Sequence, residues 1–160
     1  MKRLVSSFVT LLIVISFTTT VAFATEGAHF MSATDSVNSS GALVVAFDEA
    51  GLGNGNIDYT LSADATALYA CINGGGQHPH AANKESFAGQ VSGGDTFQAR
   101  NGRVRASLTT GPLAAPSFHC PSGQTRVLAA VSYSNILLTD TTNDVSISLP
   151  DVSRTLVDLR

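Results

Sequence analysis

Between Ile57 and Ala63 the chain alternates without an error. Ile57, Tyr59, Leu61 and Ala63 fall on one side of an extended segment, and Asp58, Thr60 and Ser62 fall on the other. A side-chain period of two is what a strand needs when one face meets a core and the other meets water, and it does not fit a helix. The habit recurs. Val127, Ala129, Val131 and Tyr133 alternate over 127–133, and Val104, Ala106 and Leu108 oppose Arg103, Arg105 and Ser107 over 103–109. No window of twelve or more residues combines apolar spacings of three and four with helix caps. Thr, Val and Ser are abundant, apolar runs are short, and Gly or Asn punctuates them.

Further strands are expected at 30–37, 42–47, 67–72, 86–91, 96–100, 136–138 and 145–149. The run ALVVAF at 42–47 is short and apolar enough for a buried strand. Asn101-Gly102 supplies the positive φ angles of a type I′ turn, which predicts a hairpin between 96–100 and 103–109. The segments 136–138 and 145–149 are expected to pair through Asp140-Thr141-Thr142-Asn143, and residues 151–160 to fray. Strands this short, spaced roughly ten residues apart, predict an all-β fold. The expected form is a single antiparallel β-sandwich, immunoglobulin-like in architecture; a barrel is the other arrangement such spacing allows.

Residues 1–24 read as a signal peptide. Lys2 and Arg3 form a positive start, an apolar stretch is densest at 8–17, and Ala22-Phe23-Ala24 is a small-x-small cleavage site. The twenty residues 4–23 could just span a bilayer, but seven of them are Ser or Thr. Cleavage would leave one domain, 25–160, long enough for a real core. No cysteine sits at the cleavage site for a lipid anchor, and no apolar tail ends the chain. The expectation is a secreted protein with no membrane attachment after processing. Its 7 basic residues would face 12 acidic ones, a net charge of −5 with histidines neutral. With no basic run, nucleic acid and anionic membranes are excluded as expected partners.

Cys71 and Cys120 are the two cysteines. In an oxidising compartment an even pair reads first as one disulfide, worth about 4 kcal/mol for a loop of this length; two buried thiols are the alternative. Two longer loops, 73–84 and 111–124, each lie beside a cysteine, so a bridge would clamp them to each other or to one end of the domain.

Several stretches carry a resemblance: Tyr69-Ala70-Cys71-Ile72-Asn73-Gly74-Gly75-Gly76, Ala81-Ala82-Asn83-Lys84, Phe118-His119-Cys120-Pro121-Ser122-Gly123-Gln124 and Val131-Ser132-Tyr133-Ser134-Asn135. With these the chain resembles a family of small secreted bacterial proteins with a two-cysteine, β-sandwich-like domain. The resemblance covers most of 25–160. It implies secretion and the cysteine pair, and it carries no activity. It also implies a bacterial host, in which the glycosylation triplet Asn38-Ser39-Ser40 would be silent. Tyr69-Ala70-Cys71 is similar to the triplet at the second cysteine of immunoglobulin domains. Here it holds the first cysteine, and the chain has no Trp, so the likeness implies a comparable sandwich and not that family.

Chemistry-bearing residues are few. Pro79 would hold His78 and His80 extended on the 73–84 loop, and a bridge would bring His119 toward them. Three imidazoles could bind zinc or copper, although no fourth ligand is placed by spacing. The same three histidines mark the loops as the expected binding surface. Asn54, Asn56 and Asp58, after Asp48-Glu49, are faintly similar to a calcium loop but lack its glycine and its closing acid. Asp48, Glu49, Asp58 and Asp64 are expected to be solvated. No Gly-x-Ser-x-Gly elbow or His-Glu-x-x-His helix exists, and bridged cysteines offer no thiolate. Phe47, Tyr59, Phe87, Phe97 and Tyr133 are expected in the core, with Tyr69 and Phe118 covering the bridge. The expected protein is non-enzymatic, needs no cofactor, and has a structural or binding role toward an extracellular protein or cell-surface component. Metal binding through the histidines, or inhibition of a partner by a clamped loop, are the competing roles.

Overall fold

A computed structural model describes residues 27–73 and 83–159. The segment 1–24, expected to be a signal peptide, lies outside the described residues, as do His78 and His80.

The described chain forms strands β1 (His29–Val37), β2 (Leu43–Ala50), β3 (Asn56–Asn73), β4 (Lys84–Gln98), β5 (Arg103–Thr110), β6 (Gln124–Asp140), β7 (Val145–Leu149) and β8 (Val152–Thr155), with no helix among them. They make two antiparallel sheets. One has the order β1-β2-β5; the other is β4-β3-β6-β7, with β8 pairing with β6 beyond the end of β7. The sheets face one another as a β-sandwich. Alternation places Leu43, Val45, Phe47, Val104 and Leu108 of the smaller sheet against Tyr59, Leu61, Tyr133, Ile136 and Leu138 of the larger in one continuous core.

The strands are fewer and longer than their sequence signals suggest. Segments 57–63 and 67–72 are one strand, because Ala65 is buried and Thr66 exposed, so the alternation runs straight through. Likewise 86–91 and 96–98 are parts of β4. In β6 the break between 127–133 and 136–138 is a bulge, with Ser62 pairing with Leu137 but Asp64 with Ser134. Asn135 takes the extra position at φ 51° and donates from Nδ2 to Asp64 at 2.7 Å. The C-terminal residues do not all fray, since β8 pairs with β6 from Val152 to Thr155.

The Asn-Gly turn forms as its sequence requires. Asn101 and Gly102 have φ of 52° and 72°, and Arg100 and Arg103 exchange hydrogen bonds of 2.9 and 3.2 Å. The hairpin ends there. Beyond that single bridge the two arms separate: β4 pairs with β3 in the larger sheet, and β5 pairs with β2 in the smaller one over all eight of its residues.

Strands β3, β4 and β6 have 15 to 18 residues, whereas β1, β2 and β5 have 8 or 9. The larger sheet therefore extends past the smaller one. The segment 111–123 folds over this extension and forms a second small core of Ala115 and Phe118 with Cys71, Tyr69, Phe87 and Cys120. Cys71 on β3 is bonded to Cys120, with Cα atoms 5.5 Å apart. The bridge thus ties a connection to a strand rather than loop to loop. The Tyr69 hydroxyl donates to the Leu113 carbonyl at 2.7 Å, and Arg126 Nη1 donates to the carbonyls of Ala115 and Phe118 at 2.6 and 3.1 Å. These bonds satisfy the backbone of an irregular segment that sits against a sheet.

Candidate functional site

The separation of β4 from β5 opens a cleft at the tip of the sandwich. Strands that leave a turn for opposite sheets cannot close the space between them. The result is a groove of about 680 Å³ lined by Phe97, Gln98, Arg100, Asn101, Arg103, Val104 and Arg105, within the size range of small-ligand sites. Phe97 and Val104 face inward from the two sheets and form its apolar floor. Phe97 packs edge-on to Phe47 with ring centres 6.1 Å apart, so the floor continues the main core. The amides of Gln98 and Asn101 and the three guanidinium groups supply polar contacts.

Asp48 orders this rim. Its carboxylate, on the outer face of β2, accepts from Nε and Nη2 of Arg103 and from Nε of Arg105 at 2.9 Å. The hydrogen bond from Arg103 holds the Asp48 carboxyl down at about 2. One carboxylate against three guanidiniums leaves a local excess of positive charge on an acidic chain. An arginine's planar fork is suited to carboxylate or sulfate groups.

A second polar group lies deeper. Glu49, adjacent to Asp48, points the other way and is fully buried, and neither of its oxygens has a hydrogen-bond partner. Burial pushes its carboxyl up to about 7, with the charge of Asp140 on the facing sheet adding to the effect. The Tyr59 hydroxyl faces Glu49, but the two do not meet hydrogen-bond geometry. Asp140 is also fully buried, yet it is well supplied, accepting from the amides of Thr142 and Asn143 and from Asn143 Nδ2. The expectation that Glu49 is solvated is therefore wrong. On β2 it shares the odd-numbered parity of Leu43, Val45 and Phe47 and is carried inward with them.

No family model, curated protein or solved structure matches this chain.

Of the histidines singled out in the sequence, His119 is the one within the described residues. It is exposed beside the disulfide, with Nδ1 donating to the Ser117 carbonyl at 2.9 Å. It lines a shallow crevice with Asn83, Lys84, Glu85, Phe118 and Pro121. Among the described residues no three His, Cys, Asp or Glu side chains come together to hold a metal ion. The calcium-like run is also divided, since Asp48 is taken by arginines and Asp58 accepts from the Thr96 hydroxyl at 2.5 Å. Sequence reasoning misses the arginine cleft. Its signal is present all the same: Arg100, Arg103 and Arg105 are three of the seven basic residues in 25–160, packed around an Asn-Gly turn.

Proposed function

We propose that this chain is an exported, non-catalytic β-sandwich that binds an acidic polysaccharide outside the cell, in the cleft between β4 and β5. The observation that carries the reading is that Arg100, Arg103 and Arg105 line one cleft together with Phe97. Arg103 and Arg105 are held in place by Asp48, which lowers the ordering cost of binding. Guanidinium forks suit the carboxylate or sulfate of such a polymer, the Gln98 and Asn101 amides suit its hydroxyls, and the half-buried Phe97 suits the apolar face of a sugar ring. Export is supported by the N-terminal pattern of Lys2, Arg3 and Ala22-Phe23-Ala24, by the likeness to small secreted bacterial proteins, and by a disulfide compatible with an oxidising compartment.

Titration of the processed chain with oligogalacturonate, followed by calorimetry and by NMR of the arginine Nε–H groups, tests the proposal. Binding should weaken steeply with salt and fall at least tenfold in the double variant Arg100→Gln, Arg105→Gln. A neutral oligosaccharide of equal length should not compete. No response at millimolar oligogalacturonate, or equal binding of the neutral sugar, would overturn the reading.

A further inference from the structure

We propose that β4 is a self-association edge, through which two copies of this chain join their larger sheets into one continuous sheet about a two-fold axis. The backbone determines which groups are offered. β3 and β4 pair over fifteen positions, Asn56 with Gln98 through Ala70 with Lys84, without a register shift. Just beyond the ends of this ladder, Cys71 N donates to the Asn83 carbonyl and Ala99 N to the Gly55 carbonyl. Odd-numbered residues of β4 therefore spend their amides and carbonyls on β3, and even-numbered residues direct theirs away from the sheet. Among the described residues, the outward backbone groups of Ser86, Ala88, Gln90, Ser92 and Gly94 have no partner. All five are exposed, and the stretch contains no proline, no bulge and no charged side chain.

The other edges are guarded in the ways sheets use against pairing. β1 is kinked by a bulge between Phe30 and Ser32. β5 carries Arg103 and Arg105. The edge formed by β7 and β8 is split into pieces of 5 and 4 residues around Pro150. An unguarded antiparallel edge fits a second copy of itself, because two-fold symmetry turns one set of outward groups into its own complement. A register centred on Gln90 sets Ala88 of each copy opposite Ser92 of the other. It also sets Lys84 opposite Thr96, whose hydroxyl already bonds Asp58, and the exposed Glu85 opposite Asp95 at each end of the shared ladder, so the attraction comes from the backbone groups of the middle stretch and the charged ends oppose it.

The test is the mass of the processed chain by sedimentation from 10 to 500 µM, where it is expected to double. Ser92→Pro removes one outward amide and leaves the β3 ladder whole, and this variant should remain monomeric while keeping its circular dichroism. The pair Ala88→Lys, Ser92→Lys puts cations opposite one another and should also be monomeric, as should Ala88→Glu, Ser92→Glu. A one-to-one mixture of these two charged variants should restore the doubled mass. A wild-type chain that stays monomeric at 500 µM would overturn the proposal. So would a dimer that survives in both charged variants, or charged variants that fail to dimerise on mixing.

Discussion

Asp48 and Glu49 are chain neighbours whose carboxyl groups are driven in opposite directions. Asp48 reaches the outer face of β2, where hydrogen bonds from Arg103 and Arg105 hold it near 2. Glu49 enters the core, where burial without a partner raises it to about 7. One peptide unit separates a carboxylate held by two guanidiniums from one buried with no hydrogen-bond partner.

This pair gives the stability a predictable pH profile. Folded Asp48 binds its proton less tightly than the unfolded chain does, so stability rises with pH from about 2 to 3.8. Folded Glu49 binds its proton more tightly, so stability falls from pH 4.5 to about 7 and its contribution is level above that. The two limbs place the maximum between them, near pH 4. Glu49→Gln should remove the falling limb, on the order of 2 kcal/mol, and leave the acid limb intact; Asp48→Asn should do the reverse. Urea denaturation across pH 2–9 measures both, and an unchanged falling limb in Glu49→Gln would refute the assignment.

Two buried tyrosines should respond differently to loss of the hydroxyl. Tyr133 donates to the Gly41 carbonyl at 2.6 Å and joins the β1–β2 turn to the larger sheet. Tyr133→Phe should cost about 1–2 kcal/mol, since it leaves a buried carbonyl unpaired. The Tyr59 hydroxyl has no hydrogen bond, so Tyr59→Phe should change stability by less than about 0.5 kcal/mol or raise it. Equal costs in thermal melts would contradict the difference in bonding.

Gly111 cannot take a side chain. Its φ is +71°, and a Cβ there would stand 2.6 Å from the Tyr133 hydroxyl. Gly111→Ala should cost about 2–4 kcal/mol by combining left-handed strain with displacement of Tyr133. Gly53→Ala, where no atom lies within 4 Å, is the control and should be within about 0.5 kcal/mol of wild type.

Removing the bridge should loosen one end before the other. Cys71→Ser with Cys120→Ser should cost about 4 kcal/mol. Amide exchange should rise first at Tyr69, Phe118 and Arg126, which surround the bridge in the extension, while Leu61 and Leu138 of the main core keep their protection. Uniform loss of protection would mean that the extension is not a separate cooperative unit.

Legibility in the sequence depends on whether the rule involved is local. Alternation is local, and it yields the inner face of β3, the residues of the core and the sandwich itself. The I′ turn is local as well, and Asn101-Gly102 forms it. The partner that a strand takes after leaving its turn is not local. The apolar face of β5 could have packed on either sheet, and it joined β2, whose edge was open along the same eight residues. The cleft exists because of that choice, so its arginines read in the sequence only as the outer side of a strand. Glu49 escapes the sequence for a different reason. A glutamate is usually solvated, and only the parity of Leu43, Val45 and Phe47 argues otherwise. The bridge is legible from the count of cysteines, but not that it pins an irregular segment against an overhanging sheet.

That covalent tie also sets how the molecule would behave under tension. Cys71 and Cys120 lie 49 residues apart in the chain and 5.5 Å apart in space. If the domain were pulled from its two termini until it unravelled, the intervening residues would carry no force. The extended length would be shorter by roughly 170 Å at about 3.5 Å per residue. Reduction would release that slack in a single step, making thiol chemistry a length switch for anything the chain tethers.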